Sequence, residues 1–201
     1  MRASSWAELV TVEGRLDHAF YARDPRVVAQ ALIGKYLVHA SPRGLRGGRI
    51  VETEAYLGPE DKASHARFGP KGRSHLLFGP AGVAYVFLIY GMHECFNVVT
   101  GEVGQGSAVL IRALEPLLGT DRCDGPGRLT KALGIDRQHN GMPLIDRGIY
   151  FEGRGEGSPR VIATARIGVG YAGAWARRKL RYVDADSLAL SVPLRRARNR
   201  I

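Results

Sequence analysis

Cysteine is nearly absent. Cys95 and Cys123 are the only two in 201 residues, and neither belongs to a Cys-x-x-Cys pair. A disulfide framework is therefore not expected, and a four-ligand zinc site built on cysteine is excluded. Long apolar runs are missing too, and nothing approaches the length of a membrane span. The first segment, "MRASSWAELVTVEGRL", places Glu8 and Glu13 where a signal peptide needs an unbroken apolar stretch. These absences lead us to expect a cytoplasmic protein with no membrane contact. Acidic residues are also scarce: 19 Asp and Glu face 29 Lys and Arg, for a formal net charge of +10. Such a surplus says little about fold but favours a polyanionic partner. A basic protein with no nucleic-acid role is the alternative at this level.

What is present is ordinary for a folded chain, with 45% hydrophobic and 24% charged residues. The length suits one domain, 1–201, with 1–16 and 191–201 expected as loose tails. In "YARDPRVVAQALIGKYLVHA", Asp24 can cap a helix, Pro25 suits its first position, and Val27, Val28, Ala31 and Leu32 make an apolar stripe. "KYLVHA" then reads as a strand, "SPRGLRGG" as a turn and "RIVETEAYL" as its hairpin partner. Gly58 to Gly82 is rich in glycine, proline and charge, and a loop of that length is more often functional than idle. In "VAYVFLIYGMHECFNVVTG" two β-rich runs, Tyr85 to Ile89 and Cys95 to Thr100, flank a glycine-bearing turn. A strand "AVLIRAL", a helix "GPGRLTKALGI" and strands "IYFEG" and "RVIATARI" follow. The pattern is a mixed α/β (α+β) domain with mainly antiparallel pairing.

"RIVETEAYLG" carries the most chemistry. Strict alternation puts Ile50, Glu52, Glu54 and Tyr56 on one face, and Val51, Thr53, Ala55 and Leu57 on the other. Two carboxylates two residues apart on a strand are roughly 6.6 Å apart, close to the spacing an inverting glycosidase uses around a water. The alternative is that one or both only pair with basic neighbours. Glu54 is the better base because Tyr56 shares its face as a flat platform. His65, in the following loop, can offer a hydrogen bond, although a lone loop histidine is commonly just exposed. "HECFN" at His93 is half of a zinc-protease signature with Asn97 in place of the second histidine, so a metal reading is rejected. The apolar tip Tyr90, Gly91, Met92 fits either a wedge for the DNA minor groove or a tip packed on its own domain. "GVGYAG" matches a dinucleotide fingerprint but is followed by too little chain for that fold. A tight turn, with Val169 and Gly170 as candidate contacts to a phosphate backbone beside Gly91 and Met92, is the better reading.

Taken together, "VETEAYLGPEDKASHAR", "AYVFLIYGMHECFNVV", "VLIRALEPL", "GPGRLTKALGI" and "ARIGVGYAGAWARRKLRYV" occur in an order and spacing that resembles the alkyladenine (3-methyladenine) DNA glycosylase family. The resemblance runs from about Arg23 to about Tyr182. It implies a single mixed α/β domain with a curved antiparallel sheet, flanking helices and a protruding, DNA-inserting hairpin. It also implies that Glu54 activates the attacking water and that Arg112 helps hold that water. Tyr56 would stack on a flipped base, His65 would contact its edge, and Asn97 would crowd the amino group of normal guanine. Tyr90 would fill the gap left in the duplex. Phe87 departs from the family, standing where a second stacking tyrosine is often found. The implied activity is base-excision repair: hydrolysis of the N-glycosyl bond of alkylated or deaminated purines in double-stranded DNA, by a monomer without cofactor or metal. The substrate class is 3-methyladenine, 7-methylguanine, hypoxanthine and etheno-adenine.

The residues and the resemblance support each other. Positive charge binds phosphates without reading sequence, and chemistry on a base requires its extrusion from the stack. Glu52 is then expected to be a structural ion pair. Lys35 and Lys62 match no catalytic position, which argues against a lyase needing an amine nucleophile. Three rivals remain from other classes. A bent-DNA binder would lack turnover, a zinc deaminase lacks its Cys-x-x-Cys, and a carbohydrate glycosidase does not fit the basic charge.

Overall fold

The computed structural model describes residues 14–117, 119–145, 148–153 and 159–194. A four-residue helix α1 (His18–Tyr21) leads into α2 (Pro25–Leu32), where Asp24 accepts the Arg26 N–H at 2.8 Å and proline takes the first helical position. The buried face of α2 is Pro25, Val28, Ala29 and Leu32, the i, i+3, i+4, i+7 set of one helical stripe. Val27, expected on that stripe, is 47% exposed instead. Strands β1 (Tyr36–Ser41) and β2 (Gly44–Tyr56) form an antiparallel hairpin. The expected eight-residue turn shrinks to two residues, because Gly44 to Gly48 belong to β2. Gly47 and Gly48 are not turn glycines: a Cβ there would stand 2.7 Å from Leu37 O and 2.5 Å from Glu115 O on the flanking strands.

The segment after β2 folds into two 3₁₀ turns, His65–Phe68 and Gly72–Phe78. Then come β3 (Ala84–Ile89), β4 (His93–Thr100), β5 (Ser107–Pro116), α3 (Pro126–Leu133), β6 (Ile149–Glu152), β7 (Val161–Thr164) and β8 (Arg181–Asp184). Gly125 and Pro126 open α3, and Gly134 closes it in the left-handed conformation at φ 70°. All strand pairs are antiparallel, in the order β3-β4-β5-β2-β1-β6. Strand β8 pairs with β2 beyond the end of β1, and β7 pairs with β8. The result is a mixed α/β domain built on one curled antiparallel sheet, as expected.

Helices α2 and α3 bury Val28, Leu32, Leu129 and Leu133 against Ile50, Phe96, Ile111 and Leu114 in the main core. Smaller clusters form under the 3₁₀ segments, with Ala66, Leu77 and Tyr85 in one, and Ala63, Val169 and Ala172 in another. The alternation expected along β2 fails at Ile50, which joins Ala55 in the main core. The cause is a pair of compensating slips against β5: Ile50 faces Leu114, Glu52 faces Ala113 and Thr53 faces Ile111, so Val51 and then Arg112 are skipped. Val51 packs instead with Ala113, Val183 and Leu190.

Of the segments expected as loose, 14–16 and 191–194 are described. Leu16 N–H donates to Phe151 O and Gly153 N–H to Gly14 O, while Ser191 donates to Glu52. The remainder of both tails lies outside the described residues. Cys95 and Cys123 are buried and free. Among the described residues no helix is long and apolar enough to cross a membrane.

Candidate active site

A cleft of about 550 Å³ opens between the β3–β4 hairpin, the first turn of α3 and the loops around Ser64 and Gly168. Six residues singled out in the sequence line it: Tyr56, His65, Phe87, Tyr90, Asn97 and Arg112. Val169 also lines it, with Gly168 in the left-handed region at φ 75°, whereas Gly170 does not. Gly91 and Met92 lie beyond the wall at the hairpin tip.

Glu54 sits just behind this wall, fully buried. Its Oε1 accepts the Ile167 N–H at 2.8 Å and stands 3.3 Å from Arg112 Nη1, and its Oε2 accepts the Tyr56 hydroxyl at 2.8 Å. All three of those residues line the cleft. Glu54 thus accepts one hydrogen bond on each oxygen, with the Arg112 ion pair on the Oε1 side, which leaves Oε2 an acceptor position for a further hydrogen bond. Burial and the neighbouring Glu54 push the Tyr56 hydroxyl well above its usual pKa, so it stays a donor.

The platform under Tyr56 is unusual. Arg166 and Asp61 form a bidentate pair at 2.6 and 2.8 Å, and both side chains are fully buried. Arg166 also donates to Ala55 O at 2.9 Å, and its guanidinium lies 4.6 Å from the Tyr56 ring centroid. Since neither Asp61 nor Arg166 lines the cleft, this pair supports the ring from outside. Asp61 further accepts the N–H groups of Leu57 and Ala63, which ties the loop start to the strand end.

His65 begins a 3₁₀ turn whose N-cap, Ser64, accepts the Ala66 N–H at 3.1 Å. Its Nδ1 is 2.9 Å from the Tyr85 hydroxyl, and its ring packs edge-on to Phe87 with centroids 4.6 Å apart. Burial, then Arg73 and Arg67, push the His65 pKa down to about 4. Burial raises Tyr85 to about 12, so its hydroxyl keeps its proton and can donate to Nδ1. In that tautomer Nε2 is an N–H donor. His65 is thus a neutral hydrogen-bonding group across the neutral pH range. One consequence concerns stability. The folded pKa lies below the ordinary 6.5, so the unfolded chain binds more protons between pH 6.5 and about 4, and stability falls as pH drops through that window. His65→Gln should flatten this part of the melting temperature against pH curve; an unchanged slope would disprove the depressed value.

Asn97 is buried on β4, donating from Nδ2 to Tyr85 O at 3.0 Å. Phe87 and Tyr85 stand two apart on β3 with rings 5.3 Å apart, so period-two alternation already places Tyr85 beside Phe87. At the hairpin tip Tyr90 is 80% exposed with φ 52°, a left-handed conformation rare outside glycine. Met92 beside it is 73% exposed. A tip packed on its own domain is therefore not what forms. The sequence reading missed Tyr171, which lines the cleft and is 66% exposed, and the first turn of α3, whose Gly125 to Arg128 also line it. Helix N-terminal backbone N–H groups favour anions.

Glu52, fully buried, is held by Arg112 Nε at 2.8 Å and Arg181 Nε at 2.7 Å, which bears out the ion pair expected of it. Burial alone would raise its pKa, but Arg181, Arg112 and Ser191 outweigh that and lower it.

Residues 19–188 match the family model for methylpurine-DNA glycosylase (MPG). A protein of Anaeromyxobacter dehalogenans (strain 2CP-1) named "Putative 3-methyladenine DNA glycosylase" is 51% identical over 89% of this chain and 86% of its own length. Proteins of the same name from Myxococcus xanthus and Legionella pneumophila (strain Lens) are 50% and 49% identical. Each alignment covers 88% of this chain, and 93% and 98% of theirs respectively. The chain therefore belongs to the methylpurine-DNA glycosylase family of DNA-repair hydrolases, which act on N-glycosyl bonds in DNA.

Proposed function

We propose that this protein flips an alkylated or deaminated purine out of duplex DNA and hydrolyses its N-glycosyl bond with a water activated by Glu54, leaving an abasic site. The observation that carries this reading is the buried carboxylate of Glu54, held by two hydrogen bonds and one ion pair from cleft-lining residues, with an acceptor position left on Oε2. A water bound there would lose its proton to Glu54 as it attacks C1′, and the same negative charge would stabilise the oxocarbenium-like sugar. Arg112 supplies the countercharge beside it. Tyr56 and Phe87 would hold the base by its faces, His65 would donate to its edge, and Asn97 would crowd the amino group of guanine. Tyr90, already exposed at the hairpin tip, would occupy the space the nucleotide leaves. Candidate substrates are 3-methyladenine, 7-methylguanine, hypoxanthine and etheno-adenine. Phe87 still stacks but offers no hydroxyl, which would bias recognition toward faces over edges. The protein would act as a monomer on DNA, in the cytoplasm.

Hydrolysis is favoured over a lyase route because no lysine is among the described residues that line the cleft. A lyase forms an imine with an amine nucleophile. The test is to follow free base release from alkylated duplex DNA without added metal, with borohydride present in a parallel reaction. Release with no trapped protein–DNA adduct is expected. A robust adduct would refute the water mechanism, and binding without release from any lesion would make the protein a damage binder.

A further inference from the structure

We infer that Glu52, completed by Ser191, is a positioning residue that holds Arg112 off Glu54, so that Glu54 keeps an acceptor for its water. The inference rests on the assignment of Glu54 as the base. An arginine beside a buried carboxylate frequently closes a bidentate pair. This protein contains such a pair: Arg166 grips Asp61 at 2.6 and 2.8 Å. Arg112 does not grip Glu54 that way: its Nη1 stands 3.3 Å from Glu54 Oε1 as an ion pair, while its hydrogen bonds go to Glu52 and Ser191.

The reason lies on the other edge of the guanidinium. Nε donates to Glu52 Oε1 at 2.8 Å, and both Nε and Nη2 lie within 3.3 Å of Ser191 Oγ. That edge is taken, so only Nη1 faces Glu54. Glu52 is itself unable to move. Its Oε1 also accepts Arg181 Nε and the Ser191 hydroxyl, both at 2.7 Å, and its Oε2 accepts the Ser191 backbone N–H at 2.6 Å. Two carboxylates and two guanidiniums are thereby balanced, with Glu52 bearing most of the pairing. Arg181 Nη2 donates to Val192 O at 2.6 Å, which fastens the same short segment from a second side. Residues 191 and 192 lie past residue 188, where the match to the family model ends. The segment after β8 is therefore part of the site: it sets the angle at which Arg112 meets the base.

Removing the charge on Glu52 should let Arg112 swing into a bidentate grip on Glu54 and occupy the position meant for water. The test uses the full chain and a duplex with one etheno-adenine, whose fluorescence rises when it leaves the stack. Single-turnover excision and flipping are measured on the wild type, Glu52→Gln and Ser191→Ala. For Glu52→Gln we expect excision slower by about 10–100-fold, with the flipping amplitude and the DNA Kd unchanged. Ser191→Ala should show the same split with a smaller loss, about 3–10-fold, since it removes one neutral hydrogen-bonding group.

A Glu52→Gln protein that excises at the full rate overturns the inference, as does one in which excision and flipping fall in proportion. If Glu52→Gln does not fold, Ser191→Ala decides: slower excision with intact flipping supports the positioning role, and an unchanged rate overturns it. A wild type that releases no base removes the reading of Glu54 and this inference with it. An active wild type, an inactive Glu54→Gln and a fully active Glu52→Gln remove the inference alone.

Discussion

Glu54→Gln is expected to excise damaged bases about 10²- to 10⁴-fold more slowly than the wild type while binding lesion-containing DNA equally well. The range is what a positioned general base contributes. Glutamine is nearly isosteric, so the amide oxygen can still accept from Ile167 N–H or from the Tyr56 hydroxyl, and the cleft should keep its shape. It cannot take a proton from water, and it offers no negative charge to the sugar. The loss should therefore fall on the chemical step. Single-turnover excision and equilibrium DNA binding, measured on the same preparations, check it. Equal rates would remove Glu54 from the mechanism, and equal losses in rate and binding would make it a structural group.

Asp61→Ala should give the largest loss of stability of any single change near the cleft, about 3–5 kcal/mol. The substitution leaves the Arg166 guanidinium buried and without its carboxylate, and it deprives Leu57 and Ala63 of an acceptor. For a chain of this length, that corresponds to a melting temperature lower by about 6–20 °C. The double variant Asp61→Ala with Arg166→Met should recover much of the loss, because it buries no unpaired charge. Thermal denaturation of the three proteins tests both statements. If Asp61→Ala melts with the wild type, the pair contributes nothing to holding the Tyr56 platform. If the double variant melts lower than the single one, burial of an unpaired charge is not the cause.

Local signals in the chain were enough for the elements around the cleft. Asp24-Pro25 marked the start of α2, Gly125-Pro126 the start of α3, and the glycine between two β-rich runs marked the hairpin, since each of these acts within a few residues. Where the reading failed, the deciding contact came from elsewhere in the chain. Gly47 and Gly48 read as a turn because glycine usually marks one; they are glycine because strands β1 and β5 come too close for a Cβ. Ile50 read as a companion of Glu52 because alternation is assumed unbroken, and two slips against β5 break it.

The candidate site divides in the same way. By itself the sequence determined which side chains could do chemistry, because the "ETEAY" strand, the loop histidine, the hairpin and "LIRAL" each declare a residue type in a recognisable local frame. It also determined the sign of the charge and the family. Only the tertiary structure decided how those groups meet. Arg112 stands between two glutamates, and Ser191 takes the far side of its guanidinium from 79 residues away. The Tyr56 ring rests on Arg166, which Asp61 neutralises from 105 residues away. Hydrogen bonds and ion pairs act over about 3 Å of space whatever the separation along the chain, so no local pattern in the sequence records them.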